Sequence, residues 1–265
     1  MEAHEEGDEI FVYMGGHQEV PEHVRRARIY EDVNIIRRLA FYNRRHLLSV
    51  EFHDGVEIIE ENAFMHCVLL CGSIKLLGVK IIREASFFNC CRLTDVEFGD
   101  KLETIGQEAF GSCTSLRTIT MPSARTIGKK AFSNCFALTD LDLPQSHLTD
   151  LELPEELETL QRSAFGKCEC LRRITMPLKD GMIEYGVFNY CPDLTTVVTV
   201  GGMHKTIASL HLDSWRNEMT GEIKLINQTL PNTEPRVKTR AIQQWMRSVT
   251  RHLNHYNTRL NTTTY

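Results

Sequence analysis

Over most of the chain the apolar residues fall into regular columns. Phenylalanine recurs at Phe41, Phe64, Phe87, Phe110, Phe132, Phe165 and Phe188, at intervals of 23, 23, 23, 22, 33 and 23 residues. Six positions after each stands a leucine: Leu47, Leu70, Leu93, Leu116, Leu138, Leu171 and Leu194. Five positions before each stands Ile36, Ile59, Ile82, Ile105, Ile127, Leu160 or Ile183. From Phe64 onward the third residue after each phenylalanine is a cysteine: Cys67, Cys90, Cys113, Cys135, Cys168 and Cys191. Four columns held in step over six intervals are not coincidence. A period of roughly 20–50 residues is the mark of stacked-repeat architectures.

The best-formed unit runs from Ala109-Phe110 through Cys113 and Leu116-Arg117-Thr118-Ile119-Thr120-Met121-Pro122 to Ile127-Gly128. Its alternating segment has the period of a strand. Pro122, Pro144, Pro154 and Pro177 then stop such strands, because proline brings no N–H to a ladder. One unit is too small to bury its own apolar face, so successive units must stack. Phe64, Phe87, Phe110, Phe132, Phe165 and Phe188 then form a continuous buried spine.

The pattern weakens before Phe41, where Ile10–Tyr13 is expected to add a strand at the end, with Gly15-Gly16 as its turn. At Ser73 it slips by one residue, which predicts a bulge. The interval of 33 contains a near duplication, Leu138–Pro144 against Leu148–Pro154. Ten extra residues do not complete a coil, so a protruding loop or distorted turn is expected at 144–154.

Written generally, the unit is AFxxCxxLxxIxLP followed by xxIG. It resembles the BspA-like class of leucine-rich repeat over roughly residues 24–200. The resemblance implies a right-handed solenoid with a parallel sheet on one face, short helical or 3-10 turns, and a role in binding proteins or other macromolecules. It implies no chemistry. The expected organisation is an N-terminal cap strand and turn (1–23), the solenoid (24–200), an α-helical cap (201–257) and a disordered tail (258–265).

Composition changes little in this picture: 42% hydrophobic and 25% charged residues are ordinary for a globular chain. Of the nine cysteines, six belong to the column, where burial as small hydrophobes accounts for them. Cys67–Cys71 and Cys168–Cys170 lack the second short-spaced pair of a zinc site, so neither metal nor cofactor is implied. Cys71 and Cys91 lie off the column, as exposed thiols or partly buried neighbours of the spine. His4, His17, His23 and His66 are expected on the surface. The chain has no HExxH, GxSxG, P-loop or GxGxxG, and no nucleophile–base set can be assembled, so no enzyme activity is expected. The acidic start, Met1-Glu2-Ala3-His4-Glu5-Glu6, is unlike a secretory signal, and no apolar run is long enough for a membrane span. The resulting expectation is an intracellular, cytoplasmic protein with reduced thiols.

Function is expected on the outward positions of the strands, taken as the concave face. In order these are Arg25, Arg26, Arg28; Ser49, Glu51; Lys75; Thr94, Asp95, Glu97; Arg117, Thr118, Thr120; Thr139, Asp140, Asp142; Thr149, Asp150, Glu152; Arg172, Arg173, Thr175; Thr195, Thr196. Acidic rungs at Asp140, Asp142, Asp150 and Glu152 are bracketed by Arg117, Arg172 and Arg173. The expectation is a monomeric scaffold whose protein partner is of mixed, partly basic character. A charged face that only keeps the sheet soluble is the alternative.

The C-terminal segment is read as helices over Thr206–Asn217, Glu222–Leu230 and from Lys238 onward. In the last, Ile242, Trp245, Val249 and Leu253 follow helical spacing. Residues 235–265 carry six basic residues and no acidic one; removing these six from the net −5 leaves −11 on the rest. Nucleic-acid association through this basic helix is the weaker functional reading, since its polar face lacks a dense lysine–arginine cluster.

Overall fold

The computed structural model describes residues 9–138, 151–152, 156–200 and 213–262, with side chains described outside 151–152, 200, 213–217 and 252–262. The strands in order are β1 (Ile10–Tyr13), β2 (Arg26–Ile29), β3 (Ile35–Ile36), β4 (Ser49–Glu51) and β5 (Ile58–Ile59). Then come β6 (Cys71–Leu76), β7 (Ile81–Ile82), β8 (Arg92–Phe98), β9 (Thr104–Ile105) and β10 (Thr118–Thr120). The series ends with β11 (Thr126–Ile127), β12 (Leu151–Glu152), β13 (Thr159–Leu160), β14 (Arg173–Pro177) and β15 (Thr196–Val200). Helices α1 (Asp213–Thr229) and α2 (Lys238–Thr262) follow.

Every strand pairs in parallel with its counterpart one coil away, giving a β-solenoid of about seven turns with a helix pair at its C-terminal end. The short strands make one six-stranded sheet, β3 to β13. The other strands form three sheets on a second face: β1-β2-β4, β6-β8-β10 and β12-β14-β15. We call this the long-strand face.

Between the faces lies the phenylalanine column. From Phe41 to Phe188 each ring stacks on the next, with centroids 4.7, 4.9, 5.0, 5.4, 5.3 and 5.9 Å apart and planes within 14° of parallel. All seven are fully buried. Tyr13 of β1 closes the stack at its start, 5.2 Å from Phe41. A hydrogen-bonded ladder sets strands about 4.8 Å apart, which is also a workable distance between aromatic rings. Backbone and side chains therefore agree on one coil spacing. Gly106 and Gly128 mark how close the backbones come: a Cβ on Gly128 would sit 2.6 Å from the carbonyl carbon of Gly106.

Each phenylalanine sits in a turn held open by left-handed residues two positions before and two after it. Asn62 (φ 57°) and His66 (φ 65°) flank Phe64, and Ala85 (φ 51°) and Asn89 (φ 62°) flank Phe87. Such residues cost about 1–2 kcal/mol each unless the fold offsets it, asparagine less. The return is directional. The N–H groups of Asn62, Phe64 and His66 donate forward to the carbonyls of Glu84, Ser86 and Phe88 at 3.0, 2.7 and 2.9 Å. The turns thus become a third ladder between coils.

The bulge expected at Ser73 is present, as a register shift between Gly72 and Ser73 against β8. In the near duplication, the second copy supplies the ladder strand: Leu151 and Glu152 pair with Ile174 and Thr175. Leu151 and Glu152 are thus a strand within the stretch 144–154 expected as a loop or distorted turn, and residues 139–150 lie outside the described residues. Two readings of the C-terminal segment are corrected. Glu222–Leu230 is not a separate helix, because α1 runs unbroken through Gly221. Glycine there costs about 1 kcal/mol, which burial of Met219 and Ile226 on either side outweighs. Helix α2 continues to Thr262, through part of the segment expected to be disordered.

Phe64, Phe87, Phe110, Phe132, Phe165 and Phe188 are each 0% exposed within the stack. Phe110→Ala should lower the unfolding free energy in urea by about 3–5 kcal/mol, as for other buried aromatics. Tyr185→Ala, at a side chain that is 70% exposed, should change it by no more than about 0.5 kcal/mol.

Candidate interaction surface

The cysteine column is a hydrogen-bonding element of the coil. Each thiol points back one turn and donates to the carbonyl of the preceding phenylalanine. Cys67 donates to Phe41 (3.1 Å), Cys90 to Phe64 (3.3 Å) and Cys113 to Phe87 (3.2 Å). Cys135 donates to Phe110 (3.2 Å), Cys168 to Phe132 (3.3 Å) and Cys191 to Phe165 (3.1 Å). Each of these carbonyls also accepts the N–H three residues on, as Phe64 does from Cys67 at 3.2 Å, so the thiol is a second donor that ties the turn to the next coil. Burial pushes the Cys67, Cys135 and Cys191 thiols up to about 12. It raises those of Cys90, Cys113 and Cys168 well above the usual value as well. A thiol held neutral is a poor nucleophile and a poor metal ligand.

All nine cysteines are free; Cys71 is exposed, while Cys91 and Cys170 are half-buried. Among the described residues, no group of three or more His, Cys, Asp or Glu side chains converges to hold a metal ion. His66 is not the simple surface residue expected. It is half-buried, its ring lies edge-on between Tyr42 and Phe88 at 6.1 and 6.0 Å, and its Nδ1 meets Asn89 Nδ2 at 3.1 Å.

On the long-strand face Arg25, Arg28, Glu51, Lys75, Arg117, Thr120 and Arg172 are exposed. Arg26, Ser49, Thr94, Asp95, Glu97, Thr118, Arg173, Thr195 and Thr196 are half-buried. Thr175 is a correction: only 6% exposed, it is not an open outward position. Asp140, Asp142 and Asp150 lie outside the described residues, and only the backbone of Glu152 is described, paired with Thr175.

The acidic rungs that are described already have partners in neighbouring coils. Glu51 meets Arg28 at 2.6 Å and Glu97 meets Lys75 at 3.2 Å. Asp95 accepts the hydroxyls of Thr94 (2.6 Å) and Thr118. Exposed ion pairs of this kind contribute about 0–1 kcal/mol each. The pairs offset the charges of Glu51 and Glu97, while Asp95, bonded only to hydroxyls, keeps its charge.

A model of the BspA type leucine rich repeat region matches residues 34–149 and 80–214, with six copies of the repeat. The chain belongs to this family. Among solved structures it is similar to the leucine-rich repeat protein of T. pallidum, with 25% identity and a TM-score of 0.54 over 72% of this chain and 83% of that one. A leucine rich cell surface protein from Faecalibacterium prausnitzii A2-165 shares 24% identity and a TM-score of 0.40 over 67% of this chain. The match spans 61% of that protein's length. No curated protein matches the chain. Membership of a leucine-rich repeat family points to a protein-interaction scaffold, with no particular partner.

A BspA-type coil leaves its forward-pointing groups unpaired unless another coil follows, and here the C-terminal segment takes that place. The Phe188 N–H donates to Thr239 Oγ1 (2.8 Å) and the Tyr190 N–H to the Pro235 carbonyl (2.9 Å). The Asn227 amide accepts from the Val197 N–H at 2.8 Å and donates to the Val197 carbonyl at 3.2 Å. Gln243 Nε2 donates to the Ile183 carbonyl (2.7 Å). Lys238 Nζ donates to the Pro192 and Leu194 carbonyls at 2.6 and 2.5 Å. At the first coil a second side-chain amide makes the corresponding closure. Gln18 accepts from the Met14 N–H (2.6 Å) and donates to the Val12 carbonyl (3.3 Å), on β1 and the residue after it.

This arrangement bears on the nucleic-acid reading of residues 236–259. Lys238 is 1% exposed, and desolvation lowers its pKa, so it is part of the cap and not of a cationic surface. Arg240, Arg247 and Arg251 remain exposed on α2, and Arg236 lies over the Tyr190 ring at 5.9 Å. No helix among the described residues is long and apolar enough to cross a membrane.

The column thiols stay neutral in the fold but ionise near their ordinary 9.0 once unfolded. Their contribution is therefore complete below pH 9 and lost as the pH rises toward 12. The melting temperature should be flat up to about pH 9 and fall steeply above it. In native protein at neutral pH, iodoacetamide should modify Cys71 and spare the six column thiols until denaturant is added, as read by mass spectrometry. Separately, Asn227→Leu leaves both Val197 backbone groups unpaired and should cost about 1–3 kcal/mol, with faster hydrogen exchange at the Val197 amide.

Proposed function

We propose that the chain is a non-enzymatic protein-interaction scaffold that presents its long-strand face to a partner protein. The observation that carries this reading is the division of labour in each coil. Phenylalanine, leucine, isoleucine and cysteine are consumed by the stack, while the outward strand positions vary freely on a backbone held rigid by three ladders. Rigid presentation lowers the ordering cost of association. Every buried column thiol is neutral and occupied in a hydrogen bond, which supports a structural and not a chemical role for the cysteines.

The protein works as a monomer in this reading. The outermost strands of the long-strand face, β1 and β15, carry the Gln18 and Asn227 amides, which occupy groups that a second chain would need for edge-to-edge pairing. Nine free thiols suit a reducing compartment, and we assign the protein to the cell interior on that ground.

The test is site-specific photo-crosslinking in cells of the source organism. A photoreactive residue replaces Ser49 or Thr120 on the long-strand face, or Thr104 on the short-strand face. Discrete protein adducts from Ser49 and Thr120, with none from Thr104, are the expected result. Equal adducts from all three positions, or none from the long-strand face, would refute the reading.

A further inference from the structure

The cations of the long-strand face divide into two kinds. Arg28 and Lys75 are paired with carboxylates of the next coil. Arg25, Arg92 and Arg117 are exposed and form no ion pair among the described residues. These three lie along one line, where the turn after the phenylalanine passes into the strand.

Backbone bonds trace the line from coil to coil. The Leu48 N–H donates to the Arg25 carbonyl (2.7 Å), and the Cys71 N–H to the Leu48 carbonyl (3.0 Å). Cys71 stands opposite Arg92 in the parallel ladder. Two residues beyond Arg92, the Thr94 carbonyl accepts from the Arg117 N–H at 2.7 Å. Five successive coils therefore present Arg25, Leu48, Cys71, Arg92 with Thr94, and Arg117. The exposed Arg45 and His46 sit on the same turn just before Leu48, Arg45 with its Nε on Asn43 Oδ1 at 2.9 Å. Four steps of about 4.8 Å place Arg25 and Arg117 roughly 19 Å apart, the length of about six residues of extended peptide.

We infer that this line is a docking strip for an acidic, extended segment of a partner protein. Its arginines would meet carboxylates spaced along one side of the segment, and Leu48 and Cys71 would form a neutral floor between them. The inference rests on the scaffold reading and gives that partner its chemistry. It also reverses the sign expected from the sequence, where acidic rungs suggested a partly basic partner. Glu51 and Glu97 are held in ion pairs, so on this edge Arg25, Arg92 and Arg117 outnumber Asp95, the one described acidic rung bonded only to hydroxyls.

The net charge of −5 does not oppose this, because at physiological salt a charge acts over about 8 Å. A single peptide strand fits better than nucleic acid. The unpaired arginines stand in a line one strand position wide, which matches one extended chain and not the broader band of phosphates of a nucleic acid.

Fluorescence anisotropy with the full chain tests it. The probe is a fluorescein-labelled decapeptide of alternating Glu and Thr, which when extended carries its carboxylates on one side. A Lys/Thr decapeptide and a ten-nucleotide oligothymidylate serve as comparators. The acidic peptide should bind in preference to both, and the R25E/R92E/R117E variant should weaken it at least tenfold. The variant should keep the parent melting temperature, since all three side chains are exposed. Lys101→Glu, an exposed cation off the line, should leave binding unchanged. Binding untouched by the triple reversal, equal binding of the Lys/Thr peptide, or tighter binding of the oligothymidylate would overturn the proposal. If Ser49 and Thr120 still crosslink a protein while the acidic peptide fails, this inference alone falls and the scaffold reading stands.

Discussion

Two lengths have to match for this molecule to exist, and they belong to different kinds of interaction. Backbone hydrogen bonding between parallel strands sets about 4.8 Å between coils. Aromatic rings filling the interior have to pack face against face at the same repeat. The first three ring spacings, 4.7, 4.9 and 5.0 Å, meet the requirement closely. From Phe110 onward they open to 5.4, 5.3 and 5.9 Å. The widening begins in the coil after Phe110 and persists across the 33-residue interval. The left-handed turns, the close-packed glycines and the thiol bonds all follow from holding backbones at that distance around a ring. The turn residues aim N–H groups forward, Gly106 and Gly128 let chains touch, and the cysteine answers a carbonyl that the phenylalanine turn leaves facing inward.

What repeats in the sequence was legible, and what occurs once was not. Phenylalanine, leucine, isoleucine and cysteine recur because every coil meets the same packing problem, so their columns disclosed the solenoid and the bulge at Ser73. Gln18, Asn227, Thr239 and Gln243 each solve a problem at one end of the stack, and a residue used once leaves no period. The Asn, Ser and His residues two positions after the phenylalanines are a partial signal for the left-handed turns. Asn43, Asn89 and Asn134 fall there, and asparagine tolerates that conformation better than most residues. The near duplication was ambiguous for another reason. Both copies carry the same strand pattern, and that Leu151–Glu152 pairs with β14 is a matter of register between coils.

The site was less legible than the fold because charge complementarity acts between columns, not along them. Read along the chain, Glu51, Asp95 and Glu97 look like an acidic surface. Read across coils, each stands next to Arg28, Lys75 or a threonine hydroxyl contributed by a residue about one repeat away. Their partners are therefore set by register, which composition does not supply. Thr175 shows the same limit: alternation puts it outward, yet it is 6% exposed.

A closed stack also accounts for where recognition can evolve. In a solenoid each coil touches only its neighbours, so a substitution on an outward strand position perturbs little beyond its own rung. The inward columns have no such freedom, since one altered ring disturbs two spacings at once. Capping both ends with side-chain amides then limits edge pairing, which would otherwise compete with any face for partners. The surface left able to change is the set of outward rungs and the turn edge beside them. Within that set the arginines without carboxylate partners stand apart from their paired neighbours, because an interface draws on charge that the fold itself has not already used.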